Sequence, residues 1–196
     1  MKFNLSEITE LIRSRRSIRP ESFSARKIQR DQIELILNNA QWAPSHGKTE
    51  PWRFIVFESE NSRNDLSQTL GKVYLEEVAP DEQNDAKLAK LIRRPLISSV
   101  VVAVCMSRQK EERIPEIEEI EAVACAVQNM QLTATAYGIG SFWSSPKIIY
   151  TDLMNQYLEL ENKDKCLGLI YFGYSKEKWP KSHRKPLEYN TTWKTQ

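Results

Sequence analysis

Histidine and cysteine are scarce in this chain: its 196 residues include two of the first and three of the second. His46 and His183 stand far apart, and no pair among Cys105, Cys125 and Cys166 has zinc-ligand spacing, so no metal site is expected. The scarcity also argues against a histidine-based triad, and no Gly-x-Ser-x-Gly nucleophile elbow accompanies either histidine. Each cysteine sits in an apolar segment, so all three read as buried thiols and the chain as cytoplasmic. Glycine and proline are few, six and nine, which excludes collagen-like and low-complexity chains. The longest apolar run, residues 100–106, falls far short of the roughly 18 residues that cross a bilayer, so no membrane span is expected. Residues 1–16 mix Glu7 and Glu10 into an amphipathic pattern, unlike an export signal. Net charge is only +2, too small to imply a polyanionic partner, and an acidic stretch at residues 116–121 argues further against nucleic acid.

What is present fits one domain over residues 1–196. Leu5, Ile8, Leu11 and Ile12 recur at helical spacing after a start signal at Ser6, and the pattern dissolves into the basic loop at residues 15–20. Asp31 is placed to cap a second helix carrying Ile33, Ile36, Leu37 and Ala40, which must stop before Pro44. Residues 52–57 are aromatic and β-branched, hence a strand. Surface helices are expected over 62–74 and 81–93, with Pro95 interrupting, then a buried strand over 97–106. Residues 108–121 read as a solvated charged linker entering a helix whose carboxylates suit its dipole. Residues 122–136 are almost all small or apolar, which marks a central core helix. Gly138 and Gly140 are read as its stop, Phe142 and Trp143 as a short extended piece, Thr151 as the cap of a helix to Leu158, and 166–174 as the last strand. Beyond it, the tail at 176–196 keeps Trp179, Leu187, Tyr189 and Trp193, large side chains that need a surface on this domain or on a partner subunit. Strands and helices without a βαβ rhythm indicate an α+β fold: a mostly antiparallel central sheet flanked by helices.

Two glycine motifs fail on inspection. Gly47-Lys48-Thr49 lacks the earlier glycine of a P-loop, since Trp42 stands there, and Pro51 replaces the helix that should follow. Gly138 and Gly140 lack the third glycine of a dinucleotide fingerprint, because Trp143 occupies its place. The basic loop is more informative. Arg15, Arg16 and Arg19 cluster with Ser17, and residues 181–185 form a second basic cluster at the opposite end of the chain. Each alone suits a solvated end, but chain termini often lie close together, so the two could meet around one phosphate.

Four segments in order carry a family resemblance: Arg15-Arg16-Ser17-Ile18-Arg19 after a helix, Ala43-Pro44-Ser45-His46 with Pro51-Trp52-Arg53-Phe54, Gly138 through Trp143 after a long apolar helix, and Arg184-Lys185-Pro186-Leu187. Together they resemble the short branch of the nitroreductase family of flavoenzymes. The resemblance implies a homodimer of α+β subunits with FMN at the subunit interface and NADH or NADPH as electron donor. It implies Arg15, Ser17 and Arg184 near the ribityl phosphate, Arg16 beside them, and Arg19 as electrostatic stabiliser of the reduced flavin. Pro44, Ser45 and His46 would come from the partner subunit, Trp143, Ser144 and Ser145 would line the ring with backbone amides, and Trp42 would border the site. The flavin would then carry the chemistry, with no side chain as catalyst.

The implied activity is a ping-pong transfer of hydride to a nitroaromatic, quinone or similar small electron-poor acceptor. Rival readings are a flavin-fragmenting or dehalogenating relative and a non-catalytic flavin binder. Lys48 and Glu50 depart from the amides common in the family, and the simplest reading pairs Glu50 with Lys48 or Arg53. The acceptor is expected to be covered by residues 72–94 or 108–115, where loops vary most.

Overall fold

The computed structural model describes residues 3–195; Met1 and Gln196, the ends of the expected N-terminal pattern and of the tail, lie outside them. Four antiparallel strands form one sheet in the order β1 (Trp52–Phe57), β2 (Val100–Met106), β4 (Lys165–Tyr174), β3 (Ile139–Ser144). The fold is α+β. Strand β2 is apolar at every position because helices cover both of its faces, and its period of two divides the core. Val101, Ala103 and Cys105 face one layer, with Leu66, Leu70 and Tyr74 of α3 (Glu60–Glu77), Leu91 of α4 (Asp85–Ile97) and Met154 of α6 (Asp152–Tyr157). Val100, Val102, Val104 and Met106 face the other, with Ile33 and Ile36 of α2 (Arg30–Ala40) and Val123, Val127 and Met130 of α5 (Glu116–Ala136). Helix α1 (Leu5–Ser14) buries none of its residues in this chain.

Several boundaries differ from the sequence reading, each for a local reason. Asn4, not Ser6, caps α1, its side chain accepting from the amides of Ser6 at 3.0 Å and Glu7 at 3.4 Å. Helix α2 starts before Asp31, where the Gln32 side chain accepts from the Gln29 amide at 3.0 Å. Pro95 does not interrupt α4; it lies in the final turn, and the Ser98 hydroxyl takes up the Arg94 carbonyl at 2.7 Å. The helix continues to Ile97, so the strand expected from 97 begins at Val100. Helix α3 is longer than expected and buries a full apolar face, so it is a core element.

Gly138 ends α5 with φ +70°, but Gly140 is a strand residue and no part of the stop. Cys105 and Cys166 are buried opposite each other on β2 and β4, whereas Cys125 is exposed on α5, against expectation. The charged linker is not wholly solvated either: Arg108 and Glu119 form an ion pair whose side chains are 8% and 0% exposed. No described helix is long and apolar enough to cross a membrane.

Candidate functional site

The basic loop at residues 15–19 is held against the free edge of the sheet. Ser17 forms a parallel bridge with Ser141, and the Ile18 amide donates to the Ser141 carbonyl at 2.9 Å. Close approach is possible because Gly140 and Gly173, partners in the β3–β4 register, present no side chains there. A Cβ on Gly140 would fall 2.9 Å from Ile18 Cβ, and one on Gly173 would fall 2.5 Å from the Phe23 ring. Ile18 and Phe23 therefore sit where two side chains are missing. Two residues past Phe142, the same strand ends at Ser144, and Ser145 follows it. Trp143 lies across Gly168, whose φ of +147° is at a β-bulge and whose added Cβ would collide with the indole.

The tail returns to this loop. The Lys176 amide donates to the Ser22 carbonyl at 2.9 Å, and Arg16 Nε donates to the Pro180 carbonyl at 2.9 Å. Arg184 is thereby brought close to Arg15. Partial burial first, then the charges of Arg184 and Arg16, lower the Arg15 pKa from its ordinary value. None of these three arginines forms an ion pair among the described residues. Like charges gathered without a counter-ion, beside backbone of a strand edge, suit a bound anion.

Arg19 is exposed and its charge is partly engaged by Glu21. Burial pushes the Glu21 carboxyl up, but its own backbone amide, the Arg94 guanidinium at 3.0 Å and the Arg19 charge hold it below the usual carboxylate value. Arg94, which the sequence did not single out, also lies 4.9 Å above the Phe142 ring. It joins the arginine loop to a pocket of about 380 Å³ bounded by α3, α4 and the residues after β3.

Trp42, Pro44, Ser45 and His46 are not part of this assembly. They precede β1, which is the opposite edge of the sheet from β3, and no hydrogen bond among the described residues joins the two groups. His46 Nδ1 pairs with Glu118 on α5. Trp42 is 85% exposed. Gly47, Lys48 and Glu50 all take positive φ, so two non-glycine residues here hold a left-handed backbone that costs energy. Of the two expected partners of Glu50, Lys48 forms no ion pair with it among the described residues, and Arg53 donates instead to the Glu159 carbonyl at 2.8 Å. Of the large side chains in the tail, Trp179 packs on the first core layer, while Leu187, Tyr189 and Trp193 stay exposed.

Comparison with known proteins gives the family and the fold. The nitroreductase family profile matches residues 12–174. YfhC of Bacillus subtilis, provisionally named an NAD(P)H nitroreductase, is 31% identical over 182 residues, covering 93% of this chain and 91% of its own. The nitroreductase-like family protein of Bacillus cereus superposes over 100% of both chains with a TM-score of 0.81 at 26% identity. The FMN-dependent nitroreductase NfnB of Mycobacterium smegmatis, in complex with NADPH, shares the fold over 97% of this chain and all of its own, with a TM-score of 0.76 at 21% identity. This chain belongs to the nitroreductase family.

Proposed function

We propose that this protein is a homodimeric, cytoplasmic FMN-dependent oxidoreductase that takes hydride from NADH or NADPH and passes it, by a ping-pong mechanism, to a nitroaromatic, quinone or similar electron-poor acceptor. The observation that carries this reading is the meeting of Arg15, Arg16 and Arg184 with no ion-pair partner among the described residues. A phosphate monoester relieves their mutual repulsion and gains charge-assisted bonds of roughly 1.5–3 kcal/mol each. The names of the relatives point the same way, to NAD(P)H for YfhC and to FMN and NADPH for NfnB.

Bound there, FMN supplies the hydride chemistry, so the chain needs no acid or base of its own. Arg15 and Arg184 hold the phosphate, with the Ser17 backbone fixed beside them by Ser141 and Arg16 a neighbour whose guanidinium is bound to the Pro180, Arg13 and Arg15 carbonyls. The backbone of Trp143, Ser144 and Ser145 borders the ring. Arg19 adds positive charge near the reduced ring, in a field that Glu21 weakens. The donor and then the acceptor occupy the pocket under residues 72–94, whose floor is apolar.

The second half of the site comes from a second copy. Trp42, Pro44, Ser45 and His46 lead into β1, the opposite edge strand from β3, and no hydrogen bond among the described residues joins them to the arginines, so a second copy is needed to bring the two sets together. The apolar side chains Phe3, Leu5, Ile8 and Ile12 are exposed at and beside α1, a face that suits a partner subunit. The same partner gives the tail its missing surface, which makes residues 1–196 one unit completed by dimerisation. The deciding experiment is the visible spectrum of the FMN-loaded protein under anaerobic NADPH. The flavin bands bleach and return when a nitroaromatic or quinone is added; a bound flavin that NADH and NADPH leave oxidised overturns the reading.

A further inference from the structure

Helix α4 turns one face toward the pocket beside β3. Lys87, Lys90, Leu91 and Arg94 lie three, four and seven residues apart, the spacing of one helical stripe, and all four line the cavity. The other side of the helix is committed to packing: a Cβ on Gly71 of α3 would meet Ile92 at 3.1 Å and Leu88 at 4.0 Å. The lysines therefore stand where the helix geometry puts them, above a floor made by Tyr74, Val78, Pro146 and Ile148. Lys147 faces the same cavity from the segment after β3.

The charges around this apolar floor do not cancel. Arg94 is satisfied by Glu21 and rests on Phe142, so its charge is spent within the fold. Lys87, Lys90 and Lys147 form no ion pair among the described residues, and Glu82 is the one carboxylate lining the cavity. Two positive charges remain in excess over a surface that suits a flat ring. A cavity of about 380 Å³ lies within the usual size range of small-molecule sites.

We propose that this pocket selects flat substrates bearing an anionic group, a carboxylate or a phosphate, which Lys87, Lys90 and Lys147 receive while the ring lies on Tyr74, Val78 and Ile148. The inference rests on the oxidoreductase reading and adds to it the class of molecule the protein prefers. Two sources offer this chemistry: an aromatic carboxylate as electron acceptor, and the 2′-phosphate of NADPH as donor. Each lysine is exposed, so each acts modestly and the preference weakens as salt rises.

The test compares the FMN-loaded wild type with the double variant Lys87→Gln/Lys90→Gln and with Lys147→Gln. Calorimetric titration with benzoate and with benzyl alcohol reads the pocket without turnover. The wild type binds benzoate more tightly, and the double variant loses about fivefold in that preference. The ratio of kcat/KM for 4-nitrobenzoate over 4-nitrobenzyl alcohol, and for NADPH over NADH, then identifies the source. A fall confined to the first ratio assigns the carboxylated acceptor, and a fall confined to the second assigns the dinucleotide phosphate. Equal losses for charged and neutral probes, or none, overturn the inference. Charge-dependent benzoate binding in a protein that neither dinucleotide reduces leaves the pocket assignment standing and refutes the oxidoreductase reading instead.

Discussion

Arg16 donates its Nε–H to the carbonyl oxygen of Pro180 at 2.9 Å, across 164 residues of sequence. This bond turns the tail back over the loop after α1, and Arg184 then comes close enough for its charge to depress the pKa of Arg15. Burial of Arg15 adds to the effect. A fold that holds like charges together gives up some of its own stability, and a bound dianion returns it by mass action. The site and the tail are thus parts of one device.

The seat of the arginine loop depends on two missing side chains. Gly173→Ala puts a methyl group 2.5 Å from the Phe23 ring, and Gly140→Ala puts one 2.9 Å from Ile18 Cβ. Each substitution is expected to cost about 1–3 kcal/mol and to lower the thermal midpoint by several degrees. FMN affinity falls with it, because the loop can no longer lie against Ser141. Thermal melts with and without FMN read both effects.

Arg108 and Glu119 are paired with Glu119 fully buried and Arg108 nearly so, and the second oxygen of Glu119 has no hydrogen-bond partner among the described residues. Removing one member leaves the other as an uncompensated buried charge. Glu119→Ala or Arg108→Ala alone is expected to lose about 3–5 kcal/mol in urea denaturation, while replacing both with apolar residues of similar volume loses much less.

Glu21 provides a pH signature. Its folded-state pKa lies below the usual value of 4.5, so its contribution to stability is present above that value and is lost as pH falls through the folded-state pKa. The stability gap between wild type and Glu21→Gln is therefore constant near neutrality and closes in acid, below about pH 4.5. The side chain is about one-third exposed, so solvent screening keeps the gap small. Urea midpoints across that acid range measure it.

The exposed face of α1 tests the dimer. Ile8→Glu with Ile12→Glu places charge on two apolar positions that the described residues leave exposed. Sedimentation is expected to show a dimer for wild type and a monomer for the variant, with FMN binding lost along with association. A wild-type monomer that retains FMN would contradict a shared site.

Much of this architecture was legible from periodicity. The unbroken apolar run of β2 and the small apolar residues of α5 follow directly from burial on both faces of a sheet and on most sides of a helix. What escaped the sequence depends on contacts made at long range. Gly140 follows Gly138 so closely that both read as a helix stop, yet its role is set by Ile18, more than a hundred residues earlier. Pro95 reads as an interruption because it has no N–H to donate to the Leu91 carbonyl, yet the loss of that single bond does not stop a helix that ends two residues later at Ile97. Cys125 lies among apolar neighbours, but the helix turns it outward. At the candidate site, the order of the basic segments was visible from residue types alone, whereas Arg94 was not, because its importance comes from Glu21 and Phe142.

The account stands on guanidinium groups from the two ends of the chain gripping one phosphate, and the dissociation constant of FMN measures this most directly. Arg15→Ala and Arg184→Ala are each predicted to weaken FMN binding by about tenfold or more in equilibrium titration, the loss of one charge-assisted contact. Dissociation constants equal to wild type in both variants would contradict it.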